Sequence, residues 1–187
     1  MASIKGFQMK NIKNTLGREG YGCTATMYLN GKKIGTYADY GDGGPEDVDY
    51  VSKEAEEEMM KVVIAYAKEH PNPFIENLYK ERPGQYKEEC ERFKKYHPYI
   101  PEADITIRTM ASNSIVYIVE DFLELYDVEK TFKKKQKQGY GAISVEEDKK
   151  TGQTFMTSYP ASWPEERIKK EAGDNTLYMS LDDFERD

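Results

Sequence analysis

Cysteine and histidine are scarce in this chain of 187 residues, and long apolar runs are missing altogether. The two cysteines, Cys23 and Cys90, have no C-x-x-C spacing, which excludes a disulfide framework or a thiolate zinc site; no metal and no cofactor are expected. The longest apolar stretches, such as "SIVYIVEDFLELY", are cut by carboxylates well before the roughly 18 residues a membrane helix needs. The N-terminus shows neither an apolar signal core nor a cleavage site. The expectation is a cytoplasmic protein with no membrane contact. Patterns of the G-x-S-x-G, H-E-x-x-H and Walker kinds are absent, so esterase, zinc-protease and nucleotide-hydrolase chemistry have no support.

Charge is abundant but unevenly placed. The net charge is -7, yet residues 1 to 44 hold Lys5, Lys10, Lys13, Arg18, Lys32 and Lys33 against Glu19, Asp39 and Asp42. A basic N-terminal module at +3 therefore precedes a body at -10. Blocks of charge are often only solvated faces. Read functionally, the two parts suit partners of different charge.

Within the basic module, "GYGCTATMYLNGKKIGTYADYGDGG" is rich in glycine and tyrosine. Phosphate-binding loops place glycines between a strand and a helix, whereas here Asn30-Gly31 joins two alternating stretches. Asn-Gly supplies the two positive-φ residues of a type I′ turn, so the segment predicts a β-hairpin over 22–29 and 32–39. A two-residue turn sets Leu29 opposite Lys32, Met27 opposite Ile34, Ala25 opposite Thr36 and Cys23 opposite Ala38 on a mostly apolar side. The other side then carries Thr24, Thr26, Tyr28, Lys33 and Tyr37, with Tyr28 opposite Lys33 and Tyr37 opposite Thr24. Tyrosines beside a lysine suit stacked bases and phosphates, although Tyr and Thr also favour any β surface. Candidate RNA contacts are Tyr28, Lys32, Lys33, Tyr37 and Arg18. Upstream, "SIKGFQMKNIKNTL" predicts a first strand with a bulge at Gly6-Phe7, completing a meander.

The remainder predicts a mainly helical body. "SKEAEEEMMKVVIAYAKEH" reads as a helix capped by Ser52, with Ala55, Met59, Val62, Val63 and Tyr66 inward. Two short helices broken near Arg82-Pro83 follow, and "DITIRTM" reads as a short strand. A long helix from Asn113 to about Lys137 ends in a lysine-rich turn and Gly139, an arrangement that favours a helix C-terminus and also fits a minor basic patch. A second hairpin is expected near 140–159, then a helix with Ser162 as cap and Pro164 in its first turn, then a fraying acidic end. The fold class is α+β: module 1–44 and body 45–187, either as two parts or as one compact domain. Both histidines precede proline at helix ends, where His caps carbonyls. RNA strand cleavage needs only a positioned base, acid and cation, so it leaves no signature to search for.

"GREGYGCTATMYLNGKKIGTYADYGDGG", with "IKGFQMKNIKN" before it, resembles the N-terminal hairpin region of small proteins carried by phages and conjugative elements of Gram-positive bacteria. Within that set it is similar to anti-CRISPR inhibitors of type II effector nucleases, including the kind that truncates the guide RNA. The similarity covers about the first quarter of the chain and carries over no catalytic residue. It implies an inhibitor in the bacterial cytoplasm whose partners are the effector and its guide RNA and whose leading mode of action is effector-dependent truncation of that guide, ahead of occlusion. The acidic body would dock on the basic effector, with Glu56 and Glu57 as candidate docking residues, while the hairpin reaches RNA. A non-enzymatic acidic nucleic-acid mimic and an unrelated mobile-element adaptor remain open beside it.

Overall fold

The computed structural model describes residues 1–148 and 153–186. The fold is α+β and divides into two compact units, one of Lys5–Asp121 and one of Met1–Ile4 with the segment from Phe122 onward. The compositional step at residue 44 lies inside the larger unit, in the loop after the N-terminal hairpin.

A two-residue strand, β1 (Ser3–Ile4), opens the chain. The larger unit then begins with an antiparallel meander of β2 (Phe7–Leu16), β3 (Tyr21–Leu29), β4 (Lys32–Ala38) and β5 (Asp47–Tyr50), neighbours in that order. Asn30 and Gly31 take φ of 49° and 79°, the type I′ turn that Asn-Gly predicts. Next to the turn the expected pairs form, Leu29 with Lys32 and Tyr28 with Lys33. Beyond them the register slips by one residue. Met27 faces Gly35, Thr26 faces Thr36, Ala25 faces Tyr37 and Thr24 faces Ala38, leaving Ile34 as a bulge. This corrects the uninterrupted ladder expected above: the extra residue turns Ile34 and Tyr37 to the same side, and both are buried. The expected bulge at Gly6-Phe7 is instead a turn, with Lys5 at φ 47° and Gly6 at 77°; the bulge in β2 lies between Lys10 and Lys13, where Asn11 has φ 57°.

The inward side of the meander carries Phe7, Met9, Cys23, Ala25, Met27, Leu29, Ile34 and Tyr37. It is covered by α1 (Lys53–Glu69), which packs on β4 and β5 and buries Ala55, Met59, Val63, Ile64, Tyr66 and Ala67. Ser52 caps this helix, its hydroxyl accepting from the Ala55 N–H at 3.2 Å. Two helices follow, α2 (Pro73–Glu81) and α3 (Pro83–Tyr96), separated at Arg82 because Pro83 cannot continue the hydrogen-bond ladder. "DITIRTM" is not a strand. Its last four residues form a single helical turn, α4 (Ile107–Met110), closed by a reciprocal cap in which Thr106 Oγ1 accepts from the Thr109 N–H and Thr109 Oγ1 accepts from the Thr106 N–H. Ile64, Tyr79, Phe93, Ile100, Met110 and Ala111 form the core beneath these helices.

The chain passes into the smaller unit along α5 (Ile115–Gln136). There β6 (Tyr140–Glu147), β7 (Thr154–Pro160) and β8 (Thr176–Tyr178) make an antiparallel sheet with β6 central. The two longer strands pair as the second hairpin, and its expected connecting residues 149–152 lie outside the described residues. Between β7 and β8, α6 (Glu165–Ala172) starts at Pro164, which occupies the cap position itself, so Ser162 does not cap it. The acidic end does not fray over its described part. Phe184 is fully buried, its ring 4.6 Å from Tyr178 and 5.5 Å from Phe132, and β9 (Glu185–Arg186) pairs in parallel with β1. One aromatic side chain in the core outweighs the unfavourable charge of its neighbours.

Candidate nucleic-acid interface

The outward side of the meander is built by the alternation of its strands. Direct pairing puts Gln8, Tyr28 and Lys33 in one row across the sheet. Lys10, Thr26, Thr36 and Asp49 form the next row, and Lys13, Thr24, Ala38 and Asp47 the third. The face is therefore basic along β2, hydroxyl-bearing in the middle and acidic along β5. Lys10 Nζ stands 4.5 Å from the centroid of the Tyr28 ring, a cation–π contact, and Lys33 is the register partner of Tyr28 on β4. A shallow depression of about 340 Å³ is bordered by Asn11, Lys13, Thr24, Thr26 and Thr36.

The five candidate RNA contacts do not converge. Tyr28 is half-buried and Lys33 exposed on the outward side, as expected. Lys32 is exposed but shares its row with Leu29, on the opposite side of the ribbon. Tyr37 is only 4% exposed, on the inward side, a consequence of the bulge at Ile34. Burial, with Glu46 and Asp39 nearby, pushes its phenol well above the ordinary value, so it stays a neutral core group. Arg18 lies in the loop between β2 and β3, at the far end of β3 from Tyr28, about 24 Å away by strand rise. Its guanidinium is paired with Glu19 at 3.7 Å.

That far end is where the glycines of the segment act. Gly22 lies so close to β4's exit that a Cβ there would fall 2.2 Å from the Asp39 carbonyl oxygen, and one on Gly17 would fall 2.1 Å from that of Tyr40. Glu19 and Gly20 donate their N–H groups to the Gly41 carbonyl at 2.8 and 2.9 Å. The glycines thus allow two loops to pack backbone to backbone and are not arranged to hold phosphate.

Sequence reasoning did not single out Lys10 and Lys13. Their signal was the polar alternation Gln8, Lys10 against Phe7, Met9, broken at Asn11 by a bulge that periodicity does not reveal. The docking candidates Glu56 and Glu57 are half-buried on α1; Glu57 is 3.8 Å from Lys53, and the charge of Glu56 helps burial raise the phenols of Tyr50 and Tyr99, each to about 12. Glu54, Glu58 and Glu69 are the more exposed acids of that helix. In the lysine-rich end of α5, Lys133 is held 2.7 Å from the buried Glu129, and Lys135 lies over the Tyr140 ring at 5.2 Å.

Among the described residues no three His, Cys, Asp or Glu side chains cluster as metal ligands, and no helix is long and apolar enough to cross a membrane. No protein-family profile, curated protein or solved structure matches the chain.

Proposed function

We propose that the protein inhibits a type II CRISPR effector nuclease by engaging its guide RNA through the outward side of the N-terminal meander. The observation that carries the reading is the Lys10–Tyr28–Lys33 group: an aromatic ring with the Lys10 ammonium 4.5 Å from its centroid and Lys33 paired opposite it on the next strand, on an outward face. Such a group stacks on an unpaired base while the lysines hold adjoining phosphates, an arrangement tolerant of sequence. The likeness of "GREGYGCTATMYLNGKKIGTYADYGDGG" to type II anti-CRISPR proteins supports the choice of partner. An effector exposes guide RNA in a positively charged channel, and a body at -10 has electrostatic reason to approach it.

Binding, rather than cleavage, is the role this face supports best. Its nearest carboxylate in the Lys10 row is Asp49, three strand spacings away, or about 14 Å. One phosphodiester cannot bridge a base and a cation so far apart. The deciding experiment incubates effector and guide RNA with and without the protein, then resolves the RNA on a denaturing gel and assays target cleavage. Lost cleavage with full-length guide is expected. Shortened guide would replace occlusion by the truncating activity, and undiminished target cleavage would remove the proposal.

A further inference from the structure

The edge of a β-sheet presents a row of backbone donors and acceptors to any strand that can reach it, and proteins usually blunt such edges with charge or brevity. In the larger unit the edge strand β5 is four residues long and carries Asp47 and Asp49. In the smaller unit β8, on one side of β6, has only three residues. β7, on the other side, is built differently. It runs for seven residues, "TFMTSYP", without a charged side chain, and among the described residues no strand pairs with its outer side. Thr154, Phe155, Met156 and Thr157 are all exposed, Phe155 at 52% and Met156 at 41%.

Pairing with β6 fixes which backbone groups of β7 face outward. The Asp148 N–H donates to the Gln153 carbonyl at 2.9 Å, so Gln153 turns its backbone polar groups toward β6, and by the alternation of an antiparallel ladder Phe155 and Thr157 do the same. Thr154, Met156 and Ser158 therefore direct their N–H and C=O groups away from β6. Pro160, next in that series, has no N–H, and its carbonyl accepts from the Trp163 N–H at 3.0 Å, so the free edge ends at Ser158. The side chains alternate as well: Phe155 and Thr157 stand on one face of the sheet, and Met156, with Thr154 and Ser158, on the other.

We propose that the outer edge of β7 pairs antiparallel with β7 of a second copy of this chain, joining two three-stranded sheets into one of six strands. Two-fold symmetry sets the register. An axis perpendicular to the sheet keeps every residue on its own face, and only outward residues can exchange hydrogen bonds across the new seam. The register that uses all three places Met156 opposite its own counterpart and Thr154 opposite Ser158. Phe155 then lies opposite Thr157, and both exposed apolar side chains lose water contact. Charge selects the occupant. With no ionised side chain on β7, two copies meet without setting like charges opposite each other, although each carries -7, and a charged partner strand would find no counter-charge on β7 to recognise. An edge of five residues buries less area than stable dimers do, so the association is weak and reversible. The inference does not depend on the guide-RNA reading.

Sedimentation velocity of the full chain, from about 10 μM to about 1 mM, tests the pairing. A monomer–dimer equilibrium with a Kd on the order of 100 μM is expected, tightening as salt screens the repulsion between the two copies. Met156→Lys, which sets two ammonium groups opposite each other at the axis, should weaken dimerisation at least about tenfold. Its melting curve should stay close to that of the wild type, because the side chain is exposed. Cysteine substitution reads the register independently of that variant. In Met156→Cys, diamide should take the hydrogens of two facing thiols and leave a disulfide between the copies. In Thr154→Cys the two thiols stand about 13 Å apart and should cross-link at least about tenfold more slowly. Native Cys23 is buried and Cys90 half-buried, and the wild-type chain treated alike gives their background. A chain that stays monomeric at about 1 mM, a folded Met156→Lys protein that dimerises as the wild type does, or equal cross-linking at positions 154 and 156 would overturn the assignment.

Discussion

Tyr28 and Tyr37 stand on adjoining strands of one hairpin and serve opposite ends. Tyr37 is a core residue, so Tyr37→Ala should cost about 3 kcal/mol, as truncation of a buried aromatic does, and lower the melting temperature by several degrees. Tyr28→Ala should change stability by less than about 1 kcal/mol but weaken RNA engagement, because its ring faces outward beneath Lys10. Thermal melts of the two variants decide the matter; equal destabilisation would put both rings in the core. The Asn-Gly turn made the pairs beside it legible, Tyr28 with Lys33 among them. Nothing in the pattern announced that Ile34 would be extruded, and one extra residue exchanges the two faces for every position beyond it. His97 offers a test of another kind. Its Nδ1 is 2.7 Å from the Tyr99 hydroxyl and its ring lies 4.6 Å from Phe93; burial lowers its pKa from the ordinary value of about 6.5, against the opposing pull of Glu56. Below about pH 6.5 the unfolded chain takes up a proton that the folded one resists, so stability should fall as pH drops toward the folded pKa. His97→Gln should flatten that part of the stability profile, measured by denaturant titration between about pH 5 and 7. An unchanged slope would mean that His97 titrates alike in both states.

Among the elements, the helices with capping residues and prolines were the most readable. Ser52 begins α1, Pro83 begins α3, and Gly139 with φ 89° follows α5, each for a local reason that sequence carries. Elements decided by long-range packing were not. α4 alternates like a strand, yet the Thr106–Thr109 cap and the burial of Met110 in the helical core make it a turn of helix. The acidic end reads as mobile, yet Phe184 anchors it. The meander depends on its glycines for close backbone approach as well as on its apolar face. Gly22→Ala should therefore be markedly destabilising although it raises β-propensity, since the new methyl meets the Asp39 carbonyl, a backbone atom that cannot swing away. Met27→Ala, at a fully buried position, should cost about 3 kcal/mol. Urea denaturation of both variants checks these expectations, and a Gly22→Ala protein as stable as the parent would show that the two loops are not packed as described.

Across the whole molecule, the basic module and acidic body visible in the sequence resolve into something finer: the +3 of residues 1 to 44 is concentrated on one face through Lys10, Lys13 and Lys33, bounded by Asp47 and Asp49 on β5. The acidic edge should limit an RNA strand to the β2 side. A net charge of -7 should also keep affinity for free RNA low and make association with a basic effector complex weaken as salt rises. The most direct measurement compares the wild-type protein with Lys10→Glu/Lys33→Glu in a target-DNA cleavage assay with the assembled effector and its guide, folding of the variant being confirmed by its melting curve. Reversing two lysines on an outward face should leave the fold intact and raise the concentration needed for half-inhibition at least about tenfold, as loss of two phosphate contacts does. A folded variant that inhibits as well as the wild type would contradict the assignment of this face to guide RNA.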